Sequence, residues 1–159
     1  MLEIKIIAVG SIKERYFTSA IEEYLKRMKV YANVEIIELG EERLSQNPKA
    51  GEIKQVLEKE ADKIREKIEC AYSICLAIEG KDRSSEEFAR KIEDLMIDGN
   101  SSLAFIIGSS YGLADSLKRE AKERISFSKS TFPHQLMRVI LLEQIYRAFK
   151  IIKNEPYHK

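Results

Sequence analysis

Apolar residues fall into two alternating rhythms along this chain: unbroken runs of about five, and runs with a spacing of three or four. Ile4-Lys5-Ile6-Ile7-Ala8-Val9 closes on Gly10 and predicts a first strand. Over residues 13–30, Tyr16, Phe17, Ala20, Ile21, Tyr24, Leu25 and Met28 share one helical face. Val34 to Leu39, ending at Gly40, predicts a second strand, and residues 40–50, with Gly40, Asn47 and Pro48, predict a loop. A helix over 51–69 turns Ile53, Leu57, Ala61, Ile64 and Ile68 inward and charge outward.

Ser73 to Ile78 reads as a third strand that stops at Glu79-Gly80. Ser84, with Glu87 three residues on, forms a capping box for a helix that Gly99 ends. Leu103 to Ile107 is the fourth strand, closing on Gly108. A short helix over 114–123 and an alternating strand from Ile125 to Ser128 come next. Pro133 then opens a last helix over 133–153. Strands alternating with helices predict an α/β fold, a mostly parallel sheet with helices on both faces. Ligands of such sheets bind beyond the carboxyl ends of the strands. Here those ends are Gly10, Gly40, Glu79-Gly80, Gly108 and the stretch after Ser128.

With 159 residues, a single domain over 1–159 is expected. Hydrophobic residues at 44% and charged residues at 33% describe an ordinary soluble globule. Runs such as Leu103 to Ile107 fall far short of the ~20 apolar residues that cross a bilayer, so no membrane association is expected. The start of the chain lacks a basic segment followed by an apolar one, which points to a cytoplasmic protein. Cys70 and Cys75 are expected to be buried free thiols, and two His and two Cys this scattered predict no metal site.

The net charge of +1 hides a division. Residues 1–117 carry a balance of −5 and residues 118–159 a balance of +6, so the C-terminal quarter suits a polyanion.

Neither G-x-G-x-x-G nor G-x-x-x-x-G-K-[ST] occurs. Gly108-Ser109-Ser110-Tyr111-Gly112 matches G-x-S-x-G, with Ser110 as a nucleophile, which makes a small serine hydrolase one alternative. The next acid, Asp115, is five residues on, and the base would be His134 or His158. The same glycines also suit a loop that brings its backbone close to a ligand.

In the last helix Glu143, Arg147 and Lys150 share a narrow polar face, and Arg138 falls among Leu142, Ile145, Phe149 and Ile152. Such an arginine needs an ion pair, a subunit interface or an anionic ligand. So apolar a helix also predicts a dimer. His134, just after the helix-opening proline, reads as a structural or capping residue. The tail 156–159 reads as a fraying end.

Three segments carry a resemblance. The run from Ser126 to Val139, SFSKSTFPHQLMRV, the run Leu141 to Ala148, LLEQIYRA, and the tail Pro156-Tyr157-His158-Lys159 resemble the RlmH family. These are bacterial methyltransferases of pseudouridine N3 in the large-subunit ribosomal RNA. Ile7 to Gly10 and Phe105 to Gly108 fit as well. The resemblance implies a SPOUT-type α/β fold with a C-terminal trefoil knot and an obligate homodimer. It implies that S-adenosylmethionine is held by Leu76, Gly108, Phe127, Ser128, Lys129, Ser130, Thr131 and Phe132. The partner it implies is 23S ribosomal RNA in the assembled ribosome, with a non-enzymatic ribosome-binding module as a further alternative. His158 is then the candidate base, Tyr157 and Lys159 stack or hold phosphate, and Arg138 orients the substrate or bridges the dimer. Ser109 and Ser110 follow Gly108 where related chains often have a second glycine.

Overall fold

Five strands and five helices alternate strictly in the computed structural model, which describes all 159 residues. They are β1 Leu2–Val9, α1 Arg15–Met28, β2 Ala32–Leu39, α2 Ala50–Ile68 and β3 Tyr72–Asp82. Then come α3 Ser85–Ile97, β4 Ser102–Ile107, α4 Asp115–Glu120, β5 Glu123–Ser126 and α5 His134–Ile152. The strands form one parallel sheet in the order β2-β1-β4-β3-β5.

This order dictates which face each helix covers. The steps β1 to β2 and β3 to β4 run one way across the sheet, and β2 to β3 and β4 to β5 run the other way. Crossovers of one hand must then put α1 and α3 on one face and α2 and α4 on the other. The buried side chains obey. Ile4, Ile6 and Ala8 of β1 and Leu103, Phe105 and Ile107 of β4 join a 22-residue cluster with α1, α3 and α5. The alternate residues, Ile7, Val9, Ala104 and Ile106, join an 11-residue cluster with α2 and α4. Each large side chain buried this way contributes roughly 1.5–3 kcal/mol, so the three-helix face carries most of the stability.

The capping box forms as expected. Ser84 Oγ accepts from the Glu87 amide at 3.1 Å, and the Glu87 carboxylate accepts from the Ser84 amide at 2.8 Å. Gly99 ends α3 at φ +87°, in the left-handed region that favours glycine.

Three expectations are corrected. The third strand does not stop at Glu79-Gly80 but reaches Asp82, across an irregularity in which Leu76 and Lys81 both pair with Ile125. A Cβ on Gly80 would lie 2.6 Å from the Ile125 backbone, so only glycine lets the strand resume there. Cys70 is exposed rather than buried, whereas burial pushes the Cys75 thiol up to about 12. The C-terminal tail is packed rather than frayed, because aromatic and charged partners on α5 hold it. On α5 itself, Leu136 and Ile140 are half-buried and belong to neither cluster. No helix is long and apolar enough to cross a membrane.

Candidate functional site

The carboxyl edge of the sheet carries two adjoining cavities. The larger, about 620 Å³, lies over β3, β4 and β5 and falls within the size range of small-molecule sites. Of the eight residues expected to hold a cofactor, Leu76, Gly108, Phe127, Ser128, Ser130, Thr131 and Phe132 line it; Lys129 does not. The β3 irregularity turns Ala77, Ile78 and Glu79 into its rim.

Serines at every second position brace the loop after β5. The Ser126 hydroxyl donates to the Ser128 carbonyl at 2.8 Å, and the Ser130 amide donates to Ser128 Oγ at 2.9 Å. Phe127 packs edge-on against Phe88, with ring centres 5.4 Å apart. Across the cavity Lys118 holds Glu79 at 2.6 Å and keeps that carboxyl below its ordinary range.

The role of Gly108 differs from the simple expectation that it leaves room for a ligand. A Cβ there would fall 2.3 Å from the Gly112 carbonyl oxygen. Its bareness lets the Ser109–Gly112 turn close, with the Gly112 amide donating to the Ser109 carbonyl at 2.9 Å. Gly112 itself sits at φ +85°. Ser110 stands exposed on this turn and makes no hydrogen bond to an acid or a base. The G-x-S-x-G match is thus a tight turn without a catalytic triad.

The smaller cavity, about 390 Å³, lies over β1 and β2 and is lined by Gly10, Ser11, Lys13, Glu38, Leu39, Gly40, Glu41, His134 and Gln135. His134 borders both cavities. Its expected capping role is not seen: the start of α5 carries no side-chain cap bond. Arg138, one turn further along α5, is wholly buried. It donates to the Gly10 carbonyl at 2.7 Å and the Val9 carbonyl at 3.3 Å, and it stands 3.5 Å from Glu38. Burial lowers its proton affinity while Glu38 raises it. Arg138 thus clamps the end of β1 to α5 and lines neither cavity.

Behind the cavities Glu60 of α2 is buried and accepts from the Glu42 amide at 3.1 Å. Burial raises its carboxyl above the ordinary range. The sequence hid this residue, since a glutamate on a charged helix face looks solvated.

The tail lies elsewhere. The Tyr157 ring is 4.9 Å from Tyr146, the Arg147 guanidinium sits 4.7 Å from its centre, and its hydroxyl donates to Glu143 at 3.1 Å. Both ring nitrogens of His158 are engaged, Nδ1 with Arg147 at 3.2 Å and Nε2 with Glu86 at 2.6 Å. Lys159 is exposed. Within one chain none of the three lines either cavity.

A family model described as a SPOUT methyltransferase matches residues 2–158. The chain belongs to the SPOUT methyltransferases. Among SPOUT relatives, it is 50% identical to the ribosomal RNA large subunit methyltransferase H of Enterococcus faecalis, over 99% of this chain and 100% of that protein. The protein of the same name from Bacillus thuringiensis is also 50% identical, with the same coverage. The SPOUT fold recurs in a tRNA methyltransferase from Aquifex aeolicus, at TM-score 0.54 and 9% identity over 91% of this chain and 69% of that one. It recurs again in a probable methyltransferase from Bordetella pertussis, at TM-score 0.58 and 12% identity over 91% and 95%. At such identities the likeness is one of fold alone.

Proposed function

We propose that this chain is an S-adenosylmethionine-dependent methyltransferase of 23S ribosomal RNA that modifies N3 of a pseudouridine on assembled ribosomes. One observation carries the reading. Residues on or just after three separate strands, which the RlmH resemblance assigns to the cofactor, line a single cavity. Their chemistry fits the group. Leu76, Phe127 and Phe132 offer apolar walls to an adenine, and Ser128, Ser130 and Thr131 offer hydroxyls to its ribose and amino-acid parts. Glu79, paired with Lys118, adds an ion pair to the lining. When bound, the cofactor supplies an electrophilic methyl on a sulfonium.

The protein's share is alignment. Holding an incoming nitrogen in line with that methyl removes most of the entropy from a two-body reaction. The loops are suited to this because they are braced by their own serines and by the Gly108 turn.

The reading includes a homodimer, a C-terminal trefoil knot and a cytoplasmic site of action, where ribosomes are. Leu136 and Ile140 supply apolar surface on α5 for a second copy. Pairing brings the tail of one protomer to the cavities of the other, where Tyr157, His158 and Lys159 hold RNA. Arg138 acts as a positioning residue through Gly10. The +6 balance of residues 118–159 draws RNA phosphates, with affinity falling as salt rises.

The test is methyl transfer from labelled S-adenosylmethionine to ribosomes and to free RNA, with mass mapping of the product. Methylated ribosomes are expected; no cofactor binding by calorimetry and no transfer would refute the reading. Deleting residues 156–159 is expected to spare cofactor binding and abolish transfer, and full activity without them would remove the tail from the site.

A further inference from the structure

His134 is the one residue shared by the two cavities whose side chain can accept a proton. We propose that the methyl-accepting base docks in the smaller cavity and that His134, on the seam, takes its proton. This rests on the methyltransferase reading above.

The argument begins at Gly10. Its φ of +96° and its missing Cβ let two side chains close in on the end of β1. The position a Cβ would take lies 3.5 Å from His134 Nε2 and 3.1 Å from Glu41 Oε1. An imidazole and a carboxylate therefore crowd the same point, and Arg138 holds that point by its grip on the Gly10 carbonyl.

Two rival acceptors are otherwise occupied. Glu38 faces the Arg138 guanidinium at 3.5 Å. His158 has both nitrogens taken by Arg147 and Glu86. His134 has no hydrogen bond to displace, and imidazole is the side chain most often used to move a proton in a reaction.

The smaller cavity also has the right lining for a base. It has one apolar wall residue, Leu39, among hydroxyl, ammonium, carboxylate and amide groups.

The balance closes. The ring nitrogen forms its bond to the methyl carbon, and the carbon–sulfur bond of the sulfonium breaks with its pair left on sulfur. The N–H proton passes to His134 Nε2. One positive charge moves from sulfur to imidazolium, beside the Glu41 carboxylate.

Two variants test this, each read by calorimetry with S-adenosylmethionine and by ribosome methylation. His134→Ala is expected to bind the cofactor within about twofold of wild type. It should lose about a hundredfold in kcat, the usual contribution of a general base, and regain part of it in added imidazole. Ser11→Trp, which fills the smaller cavity, is expected to leave cofactor affinity unchanged and raise KM for ribosomes at least tenfold. Wild-type rates in either variant overturn the proposal, as does a His134→Ala defect confined to cofactor binding or one that imidazole does not relieve. Wild-type protein with no cofactor affinity and no transfer would instead refute the methyltransferase reading.

Discussion

The two halves of the carboxyl edge are built from the same sheet but to opposite specifications. Over β3, β4 and β5 the lining mixes apolar and hydroxyl side chains, and the loops are fastened by backbone contacts at Gly108 and Gly80. Over β1 and β2 the lining is charged, Leu39 is its only apolar member, and a buried arginine does the fastening. The first half is a braced, partly apolar recess. The second is a polar recess whose character is set by charge. Shape on one side and charge on the other is how a single edge can receive two unlike reactants.

The comparison can be broken most forcefully at Gly108. Gly108→Val drives side-chain atoms into the Gly112 carbonyl, so a loss of about 3 kcal/mol in urea unfolding is expected. S-adenosylmethionine binding should vanish even in the folded fraction. Binding by a stable Gly108→Val protein would show that the turn is not what shapes the larger cavity.

Arg138→Met attacks the other half. It removes the donor to two buried carbonyls, at an expected cost of about 2 kcal/mol. Cofactor affinity should hold while methylation falls, because Gly10 belongs to the second cavity. Equal losses of both would merge the two halves into one.

Tyr157→Ala sharpens the contrast because Tyr157 lines neither cavity of its own protomer. Loss of the Tyr146 and Arg147 contacts should cost about 1 kcal/mol, with cofactor affinity unchanged.

The smallest effect is expected from Glu60→Gln, about 0.5 kcal/mol near neutral pH. In the wild type this carboxyl holds its proton more tightly folded than unfolded. Its contribution to stability is therefore complete below the ordinary carboxylate range and is lost as pH rises through the folded value. Glu60→Gln should flatten that decline in a series of melts between pH 4 and 8; an unchanged slope would show that burial does not shift this group.

Much of the fold was legible in the chain because its strands are short apolar runs stopped by glycine, as at Val9-Gly10 and Ile107-Gly108. The end of β3 was not, since its resumption after Gly80 depends on the Ile125 backbone 45 positions away. The grouping of the larger cavity's lining was legible only through the resemblance: seven of the eight residues it named line that cavity, and Lys129 does not. In the polar half Gly10, Gly40 and His134 were each marked by their local patterns, but their assembly was not, because Glu41 and His134 lie far apart in sequence and meet only across Gly10. Arg138 announced itself by lying on an apolar helix face, but its partners are backbone carbonyls, which carry no sequence signal.

The uneven division of the core has a dynamic consequence. The six-residue α4 connects the turn after β4 to β5 and so to the loop that follows it, and it packs on the smaller, 11-residue cluster. Local opening is cheapest where least apolar surface is held. Amides of α4 should thus exchange with solvent well before those of β1 and β4. The larger cavity then hangs in part from a lightly packed helix, so a bound cofactor would register as slowed exchange in α4, on the opposite face from the helices that carry most of the stability.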